Sequence, residues 1–481
     1  MISKSKYLLG LQCPKLLWVA ANDKERLSPP DEGTLHRFSQ GHLIGGLAKK
    51  LFPGGVDIPE DFGSNLAMTK VLLERKQTLF EAGIMADGLY SRADVLRPSG
   101  DGWDVIEVKS STSVKDVNIH DLAFQRFVYE KAGLKIDRCI LMHIDNTYVR
   151  DGELDPKRLF VQEDVTSEVD HASSGIKERI QRMSEVLGGS EPVVDIGKHC
   201  NNPYACALYD ECWGFLPENG VHTLCCAGKR CFDLIDRGVL CIKDIPDDYK
   251  LTSRQDIQRE CELSGKPHID REEISRWLGE LKYPLYFFDF ETFGTAVPLF
   301  SGVRPYQQIP FQFSLHVQKD GKLEHYSFLA EGQDDPRPEL LKKMKGWIGD
   351  SGHIIAYSKS FEIARLKECA EAFPEYSEWI ESIIPRFVDL MIPFSKFWYY
   401  DPMQKGSASI KKVLPAVVGK SYDGMEIGDG GTASIEYLRV TFGECPQEEI
   451  DKVRGNLEKY CCLDTEGMVW ILDGLKEKMS N

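Results

Sequence analysis

The chain has 481 residues and a formal charge of −16, from 59 Lys+Arg against 75 Asp+Glu, with 42% hydrophobic and 28% charged residues. This is ordinary globular usage, which excludes disordered, collagen-like and coiled-coil chains; at ~100–200 residues per domain it predicts two or three domains. The acidic balance argues against a wide nucleic-acid-binding face but not against a nuclease, whose metal-holding carboxylates add negative charge.

Residues 1–7 have no apolar core after their lysines, so no signal peptide is expected. Every apolar run is broken well before the ~20 residues that cross a bilayer. The expectation is a cytoplasmic protein with no membrane partner. Residues 1–50 read mostly as helix, with a loop around 27–33. Two β-patterned runs, 92–96 and 104–108, flank the turn-rich 97–102 and predict a hairpin. Residues 121–132 read as a helix stopped by Gly133, 139–143 as a strand, and 165–187 as a helix ending at Gly188-Gly189. A cysteine-rich stretch, 200–231, precedes polar helices carrying the turn Ile245-Pro246-Asp247-Asp248. A second α/β pattern starts at Tyr283. The expected domains are 1–215, a helical connector 216–282, and 283–481.

In Val105-Ile106-Glu107-Val108-Lys109 the two polar residues stand at i and i+2, so they leave one face of a strand together. The hairpin brings Asp94 towards Glu107. Two carboxylates at one point bind Mg²⁺ or Mn²⁺, and a neighbouring lysine can orient a water or stabilise a leaving phosphate. Gln125 and Tyr129, at i and i+4, share one helix face. Asp94, twelve intervening residues, then Glu-x-Lys, followed by Q-x-x-x-Y, resembles the RecB-type branch of the PD-(D/E)XK nucleases. In that branch a first motif on an upstream helix supplies a His, for which His42 is the candidate.

Fourteen cysteines in a chain expected in a reducing compartment lean towards metal or redox chemistry. Cys200, Cys206 and Cys212 form C-x5-C-x5-C, and Cys13 offers a fourth ligand. One remote cysteine plus three clustered ones resembles the iron–sulfur clasp of RecB-type nucleases, which implies a [4Fe-4S] cluster. The gap of five residues, where those relatives often have two, keeps zinc or an altered cluster open. Cys139, Cys241, Cys261 and Cys369 are expected as buried small hydrophobes. Cys225, Cys226 and Cys231 fit no standard ligand set.

Asp289 and Glu291 end an apolar strand at i and i+2, and Tyr460-Cys461-Cys462-Leu463-Asp464 lies 169 residues after Glu291. D-x-E followed by Y-x-x-x-D resembles the DEDD 3′–5′ exonucleases, which have an RNase H-like fold. The resemblance implies two metals held by Asp289, Glu291 and Asp464, with Tyr460 placing the water. In the middle segment Ser358 and Glu362 stand where the family has Asn and Asp. Asp389 is a second-rank candidate, and 406–414 a phosphate-contact candidate.

Over nearly its whole length the chain resembles a bacterial family that joins these two nuclease domains. The implied class is α/β with two domains: a PD-(D/E)XK nuclease fold with an Fe–S cluster, a helical connector, and an RNase H-like domain. The implied activity is metal-dependent phosphodiester hydrolysis on nucleic acid, DNA before RNA, in repair, processing or phage defence. The alternative is an iron–sulfur nucleic-acid-binding or redox-sensing module in which one domain, or neither, cleaves.

Overall fold

A computed structural model describes residues 1–480, which form a mixed α/β protein. The chain divides into two compact units, Met1–Gly214 with Thr295–Gln307, and Phe215–Gly294 with Gln308–Asn481.

The first unit is built on a seven-stranded mixed sheet. Its strands are β1 Ile2–Ser3, β2 Val56–Asp57, β3 Leu79–Ala86, β4 Leu89–Ser99, β5 Gly102–Lys109, β6 Ile136–Ile144 and β7 Phe160–Asp164. They run in the order β2-β3-β4-β5-β6-β7, with β1 paired to β4. Asp87 and Gly88, both at positive φ, make the two-residue turn from β3 to β4, a geometry that follows the natural twist of paired strands. β4 and β5 pair antiparallel with Val95 opposite Ile106, the hairpin read from the sequence. β6 pairs parallel to β5, and such a pairing needs a crossover. Among the helices α1 Lys4–Gln12, α2 Pro14–Asn22, α3 Glu32–Lys49, α4 Phe62–Leu73 and α5 Asp116–Lys131, the crossover is α5. It buries Leu122, Phe124, Gln125, Val128 and Tyr129 against the sheet.

The single helix expected over 165–187 is two, Thr166–Ser173 and Ile176–Gly188. Gly175, at φ 73°, separates them, a backbone state that ends an α-helix and that glycine adopts freely. α1 and α2 are split at Cys13, whose φ of −159° is extended. Pro14 forces that break, because proline disfavours helical backbone in the residue before it.

In the second unit the residues expected as connector contribute the helices Lys229–Asp236, Ser253–Ser264 and Arg271–Gly279. The strands are β8 His268–Ile269, β9 Leu285–Phe293, β10 Ile309–Lys319, β11 Lys322–Leu329, β12 His353–Ala356, β13 Phe387–Asp389 and β14 Tyr399–Tyr400. Five of them form a sheet in the order β11-β10-β9-β12-β13, and β8 pairs with β14. The first three strands of the sheet are antiparallel, and β12 and β13 run parallel to β9.

Alternation along β9 decides what each face of this sheet sees. Tyr286, Phe288 and Phe290 join the cluster containing Leu340, Leu341 and Leu366. Leu285 and Phe287 join the opposite cluster, with Met468, Ile471 and Leu472 of the long helix Gln447–Ser480. Asp289 and Glu291 continue this second row. Among the described residues no helix is long and apolar enough to cross a membrane.

Candidate active and metal centres

The first centre lies where β4, β5 and α5 meet. Glu107 is buried and Lys109 follows on the same face; the Lys109 Nζ is 2.5 Å from Glu107 Oε1 and 3.1 Å from Asp121 Oδ2. Asp94, from the neighbouring strand, accepts the Val108 N–H at 2.7 Å. On α5, Asp121, Gln125 and Tyr129 recur every four residues and so form one stripe. Gln125 donates to Glu107 Oε2 at 2.6 Å and to Asp121 Oδ1 at 3.0 Å. Tyr129 is fully buried in the same core, with Ser91 beside its hydroxyl. Two members were not anticipated. Lys4, at the start of α1, is 2.8 Å from Glu107 and 3.5 Å from Asp121, and Asp121 completes a carboxylate trio. His42 sits exposed on α3, and no hydrogen bond or ion pair joins it to the trio among the described residues.

Three carboxylates face two ammonium groups here, so one negative charge is left over. Burial and Glu107 push Asp94 up to about 7, against the pull of Lys4 and Lys109. Burial pushes Glu107 up too, but Lys109 and Lys4 overcome it and hold the group below the carboxylate range. Asp121 is raised by burial and by Glu107.

The four cysteines line one cavity together with Lys15, Val194, Ile196, His199, Leu208 and Tyr209. Cys13 and Cys200 are buried, Cys206 and Cys212 half-buried. The segments that bear them are stitched together. Gln12 donates to the His199 and Tyr204 carbonyls at 2.9 and 2.8 Å. Lys15 and Arg26 both bind Glu211, and Arg26 also binds Glu191. The Gly197 N–H donates to Cys200 Sγ at 3.4 Å and the Leu208 N–H to Cys206 Sγ at 3.5 Å. Four thiols around a cavity, with amide donors aimed at two of them, fit a soft metal or an iron–sulfur group.

Cys139, Cys261 and Cys369 are buried, as their apolar surroundings imply. Cys241 departs from that expectation and is only half-buried, on the strand bridge it makes to Gly220. Cys225 and Cys231 are buried and Cys226 is exposed.

The second centre gathers Asp289 and Glu291 from β9 with Tyr460 and Asp464 from the helix Gln447–Ser480. One ligand atom each from Asp289, Glu291 and Cys461 lies within 4.8 Å of the others, a group that could hold a metal ion. Asp464 accepts the Tyr422 hydroxyl at 2.5 Å, with Tyr460 beside it. Burial and the Asp464 charge push both Asp289 and Glu291 well up. Burial also raises Asp464, to about 6. Lys411 opposes the charges of Glu291 and Asp464; it stands at the start of the helix Ile410–Val418, within the segment read as a phosphate contact.

Glu362 is buried, with one carboxylate oxygen lacking a partner, and burial together with Asp389 pushes it up to about 8. Its charge is the weakest of those that raise Asp289. Asp389 accepts the Ser358 and Met391 N–H groups, so its carboxylate caps those turns.

Comparison with known proteins adds relatives without an assigned activity. Residues 286–409 match the family described as "Domain of unknown function (DUF2779)". The "Uncharacterized protein MG366 homolog" of Mycoplasma pneumoniae is 27% identical over 227 residues, covering 42% of this chain and 33% of that protein. "Uncharacterized protein UU173" of Ureaplasma parvum is 27% identical over 214 residues, covering 40% and 31%. The chain thus spans about a third of the length of these curated relatives. The crystal structure of SSO0001 shares 15% identity at a TM-score of 0.22, over 44% of this chain and 85% of that one. The chain is therefore similar, over part of its length, to the DUF2779 family model and to these uncharacterised proteins.

Proposed function

We propose that the protein is a metal-dependent nuclease hydrolysing nucleic-acid phosphodiesters, DNA in preference to RNA. On this reading a PD-(D/E)XK-type centre lies in the first unit and a DEDD-type, RNase H-like 3′–5′ exonuclease centre in the second. Cys13, Cys200, Cys206 and Cys212 hold a structural [4Fe-4S] cluster. The observation that carries the reading is the clustering of carboxylates at both centres, Asp94, Glu107 and Asp121 in the first unit and Asp289, Glu291 and Asp464 in the second. Asp94 rises to about 7 even with two lysines nearby, and Asp289, Glu291, Glu362 and Asp464 are all raised together. Buried carboxylates clustered in this way are arranged for cations.

When bound, Mg²⁺ or Mn²⁺ supplies Lewis-acid polarisation of the phosphate and an activated water. Asp94 and Glu107 would hold it in the first unit, and Asp289, Glu291 and Asp464 in the second. The chain's own groups do the rest. Gln125 fixes the Glu107 carboxylate from behind. Lys109, tied between Glu107 and Asp121, is positioned to orient a water or to stabilise charge on the leaving phosphate. Tyr460, beside Asp464, holds the water of the second centre. Glu362 favours a second reading for that unit alone, as a binding platform, because its extra methylene displaces the carboxylate from where Asp would put it.

Wild-type protein is expected to cleave DNA with Mn²⁺. Lys109→Ala should keep Mn²⁺ binding and lose about 10²–10³-fold in rate, the usual weight of one electrostatic stabiliser. Equal rates would remove the first centre as the catalyst. No cleavage of single-stranded or duplex DNA or RNA by the wild type, with any divalent ion, would leave the binding or redox-sensing module instead.

A further inference from the structure

We propose that His316, His325 and Cys462 form a zinc site on the second unit, separate from the carboxylate centre. Three elements converge on it. The register of β10 and β11 sets His316 directly opposite His325, so both side chains leave the same face of the sheet as a cross-strand pair. β10 alternates: Phe313 and Leu315 pack into the cluster with Leu340 and Met344, while Ser314 and His316 meet Thr465 of the helix Gln447–Ser480. Cys462, three residues before Thr465, brings its thiol to the same place. One ligand atom from each of His316, His325 and Cys462 lies within 4.8 Å of the other two. A tetrahedral zinc with Zn–N of ~2.0–2.1 Å and Zn–S of ~2.3 Å places its ligand atoms roughly 3.3–3.8 Å apart. Closure therefore asks for movement of about 1 Å.

The polar atoms behind these ligands already fix their orientation. The two imidazole rings stack with centroids 4.3 Å apart. His316 Nδ1 meets Thr465 Oγ1 at 2.8 Å, and His325 Nε2 meets Ser314 Oγ at 2.9 Å. The two hydroxyls join each other at 2.6 Å, and Thr465 donates to the Cys462 carbonyl at 3.1 Å. Each ring thus has one nitrogen anchored and the other available. Hydroxyl and carbonyl anchors of this kind hold ligand histidines in one orientation.

Imidazole and thiolate together suit zinc, not the hard ions that carboxylates favour. His325 is exposed and Cys462 half-buried, so the site opens to solvent. Glu466, one turn after Cys462, contributes its charge to both His325 and Cys462. It is the candidate fourth ligand, by the i,i+4 geometry of a helix face.

Metal stoichiometry tests this without any cleavage assay, so it succeeds or fails independently of the nuclease reading. The full-length chain, stripped with chelator under reducing conditions, is titrated with Zn²⁺ and with Co²⁺ as a spectroscopic probe. His325→Gln and Cys462→Ser should each lose one tight Zn²⁺ equivalent relative to wild type. Cys462→Ser should also lose part of the thiolate-to-cobalt charge-transfer absorption. Thr465→Val, which removes an anchor but no ligand, should weaken the site about 10–100-fold. His325 is exposed, so its variant remains informative if another fails to fold. Wild-type Zn²⁺ stoichiometry and affinity in His325→Gln would overturn the proposal and leave a hydrogen-bonded histidine pair with no metal.

Discussion

Asp94 is the residue at which the first centre's charge imbalance becomes measurable. Its folded, metal-free pKa rises from the ordinary 3.8 to about 7. Below the unfolded value both states are protonated and its stabilising preference for the proton is fully present; that contribution is lost as pH climbs through about 7. A divalent ion must displace the same proton, so Mn²⁺ affinity should rise about tenfold per pH unit below about 7 and level off above it, with proton release on binding. Calorimetric titration in buffers of different ionisation enthalpy measures both. Flat affinity between about pH 5.5 and 8 would show that Asp94 is not a ligand. Asp94→Asn should bind Mn²⁺ weakly at every pH and should melt higher than wild type in alkaline, metal-free buffer. Glu107 with Lys109 is legible from the period of two in a strand, Gln125 with Tyr129 from the period of four in a helix, and Asp94 from the hairpin that pairs its strand with that of Glu107. Asp121, one turn before Gln125, lies on the same helix face and is legible by the same period. Lys4 is not: its contact spans 103 residues and depends on where α1 docks.

At the scale of elements, the joint between α1 and α2 has the most to explain. Pro14 breaks the helix, so Cys13 faces the cavity that Cys200, Cys206 and Cys212 also line. Without a cluster, Cys13→Ala removes one sulfur from a small core of Leu16, Val19 and Leu208 and should cost about 1 kcal/mol. With a cluster, the lost ligand also forfeits metal-binding free energy that is folding free energy, several kcal/mol or more. Anaerobically purified Cys13→Ala should therefore lose iron, visible absorbance and several degrees of Tm together. Full iron content in that variant would take Cys13 out of the ligand set. Zinc in place of iron in the wild type would keep the four ligands but change the group. The hairpin and the helix that ends at Gly133 carry turn chemistry that names them in advance, whereas the break at Cys13-Pro14 lies inside a stretch whose composition reads as continuous helix. The break within 165–187 carries turn chemistry as well, in Ser173-Ser174-Gly175, but helical periodicity on both sides conceals it.

At the scale of the molecule, a reading along the sequence assigns each residue to the domain it runs through. It therefore cannot see that residues 295–307, between β9 and β10, count with the first unit. Nor does the charge of −16 report the local balance at either centre, where the buried carboxylates outnumber the lysines that face them. The two centres draw their carboxylates from different units and share none, so their inactivation should be additive. In a Lys109→Ala background, end-labelled oligonucleotides should still shorten in single-nucleotide steps with Mn²⁺, and adding Asp289→Ala should abolish that ladder. Glu362→Asp in the same background should leave the rate unchanged or raise it, since the shorter arm restores the carboxylate position that two-metal chemistry uses. If Lys109→Ala protein digests nothing with any divalent ion while wild type does, the second unit is not a catalyst.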